Sequence, residues 1–164
     1  MASDRLPVIV GVGQVNDRPT DPSDGLDPIG LMAAALREAD SDAGSGWMAR
    51  IESLAVVDQI SFPDLGDASA ALATVLGISP RLCYKTAGPS GDSPILLLNE
   101  AANRIAAGEI EVAAVVGGEA LRTAARRAAA AAGGNPSDHN ALRTRSSQRV
   151  RSYRRRYGDR KSVV

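Results

Sequence analysis

Apolar residues along this chain fall into short solid runs, separated by stretches in which they recur at helical spacing. Val8–Val12 is a solid run bounded by Pro7 and Gly13, and it predicts a buried first strand. An Asp- and Pro-rich loop follows from Asn16 to Gly25. Asp27 and Pro28 then supply a capping residue and a proline at the first helical position. Ile29, Met32, Ala33 and Leu36 share one face of the helix this predicts, which should end near Ala39 because residues 41–46, SDAGSG, are turn chemistry. Trp47, Met48 and Ile51 read as a hydrophobic clasp under that turn. Leu54–Val57 predicts a second strand, placed parallel to the first by a right-handed crossover. Ala68–Leu76 predicts a second helix with Leu72, Val75 and Leu76 inward, a left-handed stop at Gly77, and Ile78 as the apolar contact after a Schellman turn. Arg81–Lys85 alternates polar and apolar residues, as an edge or one-side-covered strand does.

The densest signals lie between Cys83 and Gly118. Ser93 and Pro94 predict a helix start, with the serine hydroxyl as cap, and Gly108 predicts the stop. Of the fourteen residues Pro94–Ala107, the first turn is apolar on every side (Ile95, Leu96, Leu97, Leu98), and Ala101, Ala102 and Ile105 continue at helical spacing. Such a helix should be largely buried. Val112–Val116 has no polar residue to face water and predicts a central strand covered on both faces. The turn Gly88-Pro89-Ser90-Gly91-Asp92-Ser93 therefore opens a buried helix, where backbone donors and the positive end of the helix dipole meet. Four strands and three helices in this order predict an α/β layered domain with a mostly parallel sheet.

Composition narrows the picture. A chain of 164 residues with 44% hydrophobic content forms one domain most simply, and 3% aromatics leave its core to Ala, Val, Leu and Ile. No apolar run approaches a membrane span and the N-terminus lacks the apolar core of a signal peptide, so the expectation is a soluble, cytoplasmic protein without membrane contact. One cysteine makes neither an internal disulfide nor a zinc site, and no metal is expected. The formal net charge of zero hides an asymmetry. Residues 1–121 hold 7 Lys/Arg and 17 Asp/Glu, a net −10, and residues 122–164 hold 12 and 2, a net +10. The expected organisation is an α/β domain over 1–121, an Ala/Arg helix and linker over 122–140 that breaks at Gly133-Gly134-Asn135-Pro136, and a disordered Arg-rich tail over 141–164. His139, in the linker, has no Cys or carboxylate cluster around it and reads as an exposed residue without a role.

Gly11–Asn16, GVGQVN, shares two glycines with a dinucleotide-binding fingerprint, but the third glycine is missing and no helix begins at once. It reads as a strand end and turn. The phrase SGDSPILLLNEAANRIAAGEIEVAAVVGGEAL, together with the opening VIVGVGQV, resembles the thiolase superfamily, closest to the acyl-CoA acyltransferases related to the sterol-carrier-protein type. In the family this segment carries the reactive cysteine at the start of a buried helix; the features matched here are that turn and helix, an I-x-x-G helix end, and a strand closing in Gly-Gly before an acidic residue. The resemblance covers roughly residues 7–125, part of one of the two repeated halves of a thiolase.

The resemblance implies a thiolase-like N-terminal half-domain acting on a coenzyme A thioester as substrate, with no further cofactor. It implies an acyl-CoA or acyl-lipid site at Ser90, Gly91, Asp92 and Ser93, and a homodimer joined near Leu82–Thr86 or a pairing with a complete thiolase-like subunit. The nucleophile's position falls on or about Gly91, which has no side chain to attack a thioester. Cys83 lies eight residues earlier and reads as a buried structural thiol; activation would rest on Lys85, which strand alternation puts on the same face. Ser90 and Ser93 lack an identifiable base. The second-half histidine and cysteine of a thiolase have no counterpart in this sequence. The expected function is that of a truncated or degenerate acyltransferase-family protein, catalytically impaired and retaining acyl-CoA or lipid binding. The alternative is a nucleic-acid-binding module in which Arg143, Arg145, Arg149, Arg151, Arg154, Arg155, Arg156, Arg160 and Lys161, interleaved with Tyr153 and Tyr157, neutralise phosphates and stack on bases. Against it stands a solvated tail that folds back on the acidic domain, or non-native sequence.

Overall fold

The computed structural model describes residues 5–132. His139 and the whole Arg/Tyr tail, from Arg143 to Lys161, lie outside the described residues. Contacts divide the chain after Ala124, and of the second unit only residues 125–132 are described, as the end of a helix.

Strand β1 (Ser53–Val57) is flanked on both edges by parallel partners, β2 (Leu82–Lys85) and β3 (Ala113–Gly117), giving the order β2-β1-β3. Leu54 pairs with Cys83 on one side and Ala114 on the other. Ser53, Leu54, Ala55 and Val56 are all buried, so both faces of β1 must be covered by helices. Helices α1 (Pro28–Asp42) and α2 (Ala68–Leu76) pack on each other, α1 over β3 and α2 over β1 and β2, while α3 (Ser93–Ala106) packs on β3 and β1. Ile29, Met32, Ala33 and Leu36 of α1 meet Leu54, Val56, Leu72 and Val116 in one core. α4 (Leu121–Ala131) follows β3. Among the described residues no helix is long and apolar enough to cross a membrane.

Local chemistry accounts for most element boundaries. Asp27 Oδ1 accepts from the Gly30 N–H at 2.8 Å and Pro28 opens α1. Asp67 Oδ1 accepts from the Ser69 and Ala70 N–H groups ahead of α2. Gly77 ends α2 at φ +68°, and the Ile78 N–H reaches back to the Ala73 carbonyl at 3.1 Å, with Ile78 packed against the core. α1 runs to Asp42, one turn past the expected stop, because the turn after it is closed by Asp40. The Asp40 carboxylate accepts from Trp47 at 2.7 Å, Met48 at 2.8 Å and Gly46 at 3.3 Å. Met48 and Ile51 pack on the core beneath, as the clasp reading requires.

Three expectations are corrected. Val8–Val12 is not a strand of the sheet: Val8 is 67% and Ile9 74% exposed. The segment lies along α1 instead. The Val12 N–H donates to Asp42 Oδ2 at 2.9 Å and the Gln14 N–H to Glu38 Oε2 at 3.2 Å, carboxylates one helical turn apart. Gly11 and Gly13 permit the close approach, since a Cβ on Gly11 would stand 2.2 Å from the Ala39 carbonyl oxygen and one on Gly13 2.1 Å from that of Ala35. The central, doubly covered strand is accordingly β1, and β3, expected in the middle as Val112–Val116, is an edge. The sheet therefore has three strands rather than four. Finally, α3 is buried on one side only, through Ser93, Leu97 and Ala101, because among the described residues no other helix packs over its outer side.

Two predictions follow from these contacts. Gly13→Val forces the N-terminal segment off α1 and costs about 1–3 kcal/mol in urea unfolding, whereas Gln14→Ala, which keeps the backbone bond, changes stability by less than about 0.5 kcal/mol; equal effects would mean the segment does not lie on α1. The Asp40 carboxyl is held below its ordinary 3.8 by the Met48 N–H and then by those of Gly46 and Trp47, and Asp67 is held down by the Ser69 hydroxyl first. A depressed folded-state pKa gives stability that is present above the unfolded value and lost as pH falls through the folded one. Melting temperatures between about pH 5 and pH 2 should therefore fall less steeply for Asp40→Asn than for wild type.

Candidate functional site

In a parallel sheet, loops at the carboxyl ends of the strands face one rim, and the residue types after each strand decide what that rim can do. β1 leads into Asp58, Gln59 and Ser61, β2 into Thr86 and the Gly88–Asp92 turn, and β3 into Gly118 and Glu119. Lys85 Nζ pairs with Asp58 Oδ2 at 3.0 Å, and the Asp58 N–H donates to Thr86 Oγ1 at 2.9 Å. The Thr86 hydroxyl donates to the Gly88 carbonyl at 3.0 Å, fixing the first residues of the glycine turn to the end of the sheet. On the other side, the Glu119 carboxylate accepts from the Ile60 N–H at 2.9 Å and the Ser61 N–H at 3.2 Å. Buried Ser61 accepts from the Ala120 N–H and donates to Gln59 Oε1, both at 3.0 Å, and Gln59 closes the turn on Phe62 with 2.7 Å bonds in each direction. These bonds tie the β1 and β3 exits together, leaving the turn before α3 as the open part of the rim.

That turn places Ser90, Gly91 and Asp92 consecutively ahead of α3, whose first residue is Ser93. Ser90 Oγ donates to Asp92 Oδ1. A Cβ built on Gly91 meets no atom within 4 Å, and Gly91 is not among the left-handed glycines, so a side chain fits there without strain. The capping expectation is corrected: Asp92, not Ser93, holds the N-cap position, and it does so without a side-chain cap bond. Ser93 is instead buried, with its N–H on the Ser90 carbonyl at 3.2 Å. Pro94 has no N–H and the Leu96 N–H bonds the Asp92 carbonyl at 3.0 Å. Among the described residues, this leaves the Ile95 N–H as the first-turn donor without a protein partner.

Cys83 is exposed on β2, not buried, because β2 is an edge strand. Lys85, expected beside it, is engaged by Asp58. Tyr84, on the opposite face, packs under α3 with the Arg104 guanidinium 5.9 Å from its ring. Burial raises the Tyr84 phenol and the Glu100 carboxylate adds to the shift, with Arg104 opposing both. Glu100 and Glu109 in turn hold Arg104, at 2.6 Å and 3.9 Å. Asp58, Thr86, Gln59 and Ser61 carry most of the rim network yet were not singled out by motif reasoning. The available signal was position, since each is a polar residue just after a strand. Among the described residues no cluster of three or more His, Cys, Asp or Glu is placed to hold a metal ion.

No protein-family model matches the chain, and no curated protein matches it. Solved structures do. A monomeric SCP2-thiolase like protein type 1 from Mycobacterium smegmatis is similar at 28% identity and a TM-score of 0.56, over 71% of this chain and 24% of that one. A cysteine-to-serine variant of Xanthomonas campestris OleA, solved with bound lauric acid and lauroyl-CoA, is similar in fold at 23% identity and a TM-score of 0.50, over 56% of this chain and 27% of that one. The chain spans about a quarter of the length of each.

Removing the Ser61 hydroxyl leaves the Ala120 N–H without its acceptor, while Gln59 Oε1 keeps the Phe62 N–H. Ser61→Ala should cost about 1–3 kcal/mol by chemical denaturation, and a cost near zero would show that the rim network does not hold the two strand exits together.

Proposed function

Starting from a thiolase-like fold carried over part of such a protein's length, we propose that this chain handles acyl-CoA thioesters, holding the acyl group at Ser90–Ser93 without taking it onto a side chain. The observation that carries the reading is Gly91: it stands in the turn opening α3, at the carboxyl ends of parallel strands, with open space where a side chain would project.

Acyl transfer of the thiolase type begins when a thiolate attacks the thioester carbonyl carbon. The bond from that carbon to the coenzyme A sulfur breaks, and the coenzyme leaves as a thiolate that takes up a proton. Gly91 supplies no sulfur. The Ser90 hydroxyl donates to the Asp92 carboxylate, and a carboxylate is too weak a base to ionise a serine near neutral pH. Ser93 is buried, and Cys83 sits on β2 rather than in the turn. What remains is binding chemistry: the positive end of the α3 dipole and the Ile95 N–H, both favourable to a thioester oxygen. The Asp92 carboxylate at the same helix end opposes an anionic ligand, so the affinity is modest. The open outer edge of β2 is compatible with pairing near Leu82–Thr86, with a second copy or with a complete thiolase-like subunit that brings its own catalytic groups.

Lauroyl-CoA in excess should raise the melting temperature of the wild-type chain, by the equivalent of about 2.7 kcal/mol at a hundredfold excess over Kd, and intact mass should show no acyl adduct. Gly91→Cys in a Cys83→Ser background should fold and gain one acyl mass. An adduct or turnover in the wild type contradicts the impaired reading, and no thermal shift contradicts binding.

A further inference from the structure

Resting on the reading of Ser90–Ser93 as the ligand-holding turn, we infer that Thr86 is its positioning residue. Its hydroxyl carries the geometry of the β1 and β2 exits into the turn and so sets how tightly the turn holds a ligand. Three bonds meet on Thr86. Its N–H donates to the Val56 carbonyl at 2.9 Å, continuing the β1–β2 pairing one residue past the end of β2. Its Oγ1 accepts from the Asp58 N–H at 2.9 Å and donates to the Gly88 carbonyl at 3.0 Å.

These bonds have a direction. A hydroxyl has a single proton to give, and with the Asp58 N–H on its acceptor side that proton is aimed at Gly88. Asp58 is itself held twice, by this bond and by Lys85 Nζ on its carboxylate at 3.0 Å, so the anchor is fixed before the turn begins. Pro89 passes the constraint on. A proline locks its own φ and confines the residue before it to extended backbone, so fixing the Gly88 carbonyl aims the chain that delivers Ser90 and Gly91 to the start of α3. The Ser90 hydroxyl on Asp92 and the Ser93 N–H on the Ser90 carbonyl shape the turn but do not tie it to the sheet. Valine keeps the branched shape of threonine and lacks the hydroxyl, so it separates positioning from packing.

Two readouts on the full 164-residue chain test the inference, one with ligand and one without. The Kd for lauroyl-CoA should rise about tenfold in Thr86→Val and stay within about twofold of wild type in Thr86→Ser. The second readout is the pH profile of iodoacetamide alkylation at Gly91→Cys in a Cys83→Ser background, which reports the surroundings of the thiol at the start of α3. Adding Thr86→Val should move its midpoint toward that of a free cysteine, about 8.5, and adding Thr86→Ser should leave it in place. Circular dichroism checks each variant, and Thr86→Ala, which also lacks the hydroxyl, serves where Thr86→Val does not fold. An alkylation profile unchanged by loss of the hydroxyl overturns the inference, and so does a Thr86→Ser chain that behaves like Thr86→Val. A wild type that does not bind lauroyl-CoA counts against the acyl-CoA reading, and the alkylation profile then decides the role of Thr86 by itself.

Discussion

A strand buried on both faces has no water available on either side, so its backbone groups must be matched by neighbouring strands and its side chains by helices. β1 is that strand here, and its needs set the rest. β2 and β3 flank it in parallel, which obliges each connection to cross over through a helix and return all strand exits to one rim. The Asp58–Lys85 pair, the Thr86 anchor and the Glu119 clamp join those exits in two sets. The turn before α3 is placed by the same framework: it begins where Thr86 is tied to Asp58 and ends at buried Ser93.

The helices were legible in the sequence because their ends carry local chemistry that tertiary context rarely overrides. Asp27 with Pro28, Asp67, and Gly77 with Ile78 each make the bonds their types prescribe. Solid apolar runs were less informative. Val8–Val12 and Leu54–Val57 look alike as strings, and a run of this kind specifies extended backbone without specifying its partner. The choice was made elsewhere, by Ala35, Ala39 and Ala43 spaced one turn apart on α1, the two glycines that fit against that backbone, and Glu38 and Asp42 aimed at the passing N–H groups. With Val8–Val12 drawn onto α1, β3 closes directly on β1 and becomes an edge. The α3 misreading has a similar origin: an all-round apolar first turn announces burial, but not whether the cover comes from the same chain.

At the site, the turn and its contents were legible and their chemistry less so. The spacing from Gly91 to the α3 stop places it in the turn before the helix, and a Cβ there meets no atom within 4 Å. Ser93 was misjudged because a serine before proline suits either the cap or the first helical residue, and burial decided for the second. Cys83 was misjudged because free cysteines are usually inside, whereas an edge strand with uncovered residues exposes it. The fold likeness spans about a quarter of the length of two longer proteins.

The dominance of β1 over the architecture is tested most directly by native-state hydrogen exchange resolved by residue. The slowest amides should be those of β1 and of its partners β2 and β3, with Val12 and Gln14 at intermediate protection from their carboxylate bonds and Val8, Ile9 and Val10 exchanging rapidly. Protection of Val8–Val10 equal to that of Leu54–Val56 would place the N-terminal run inside the sheet and contradict the account.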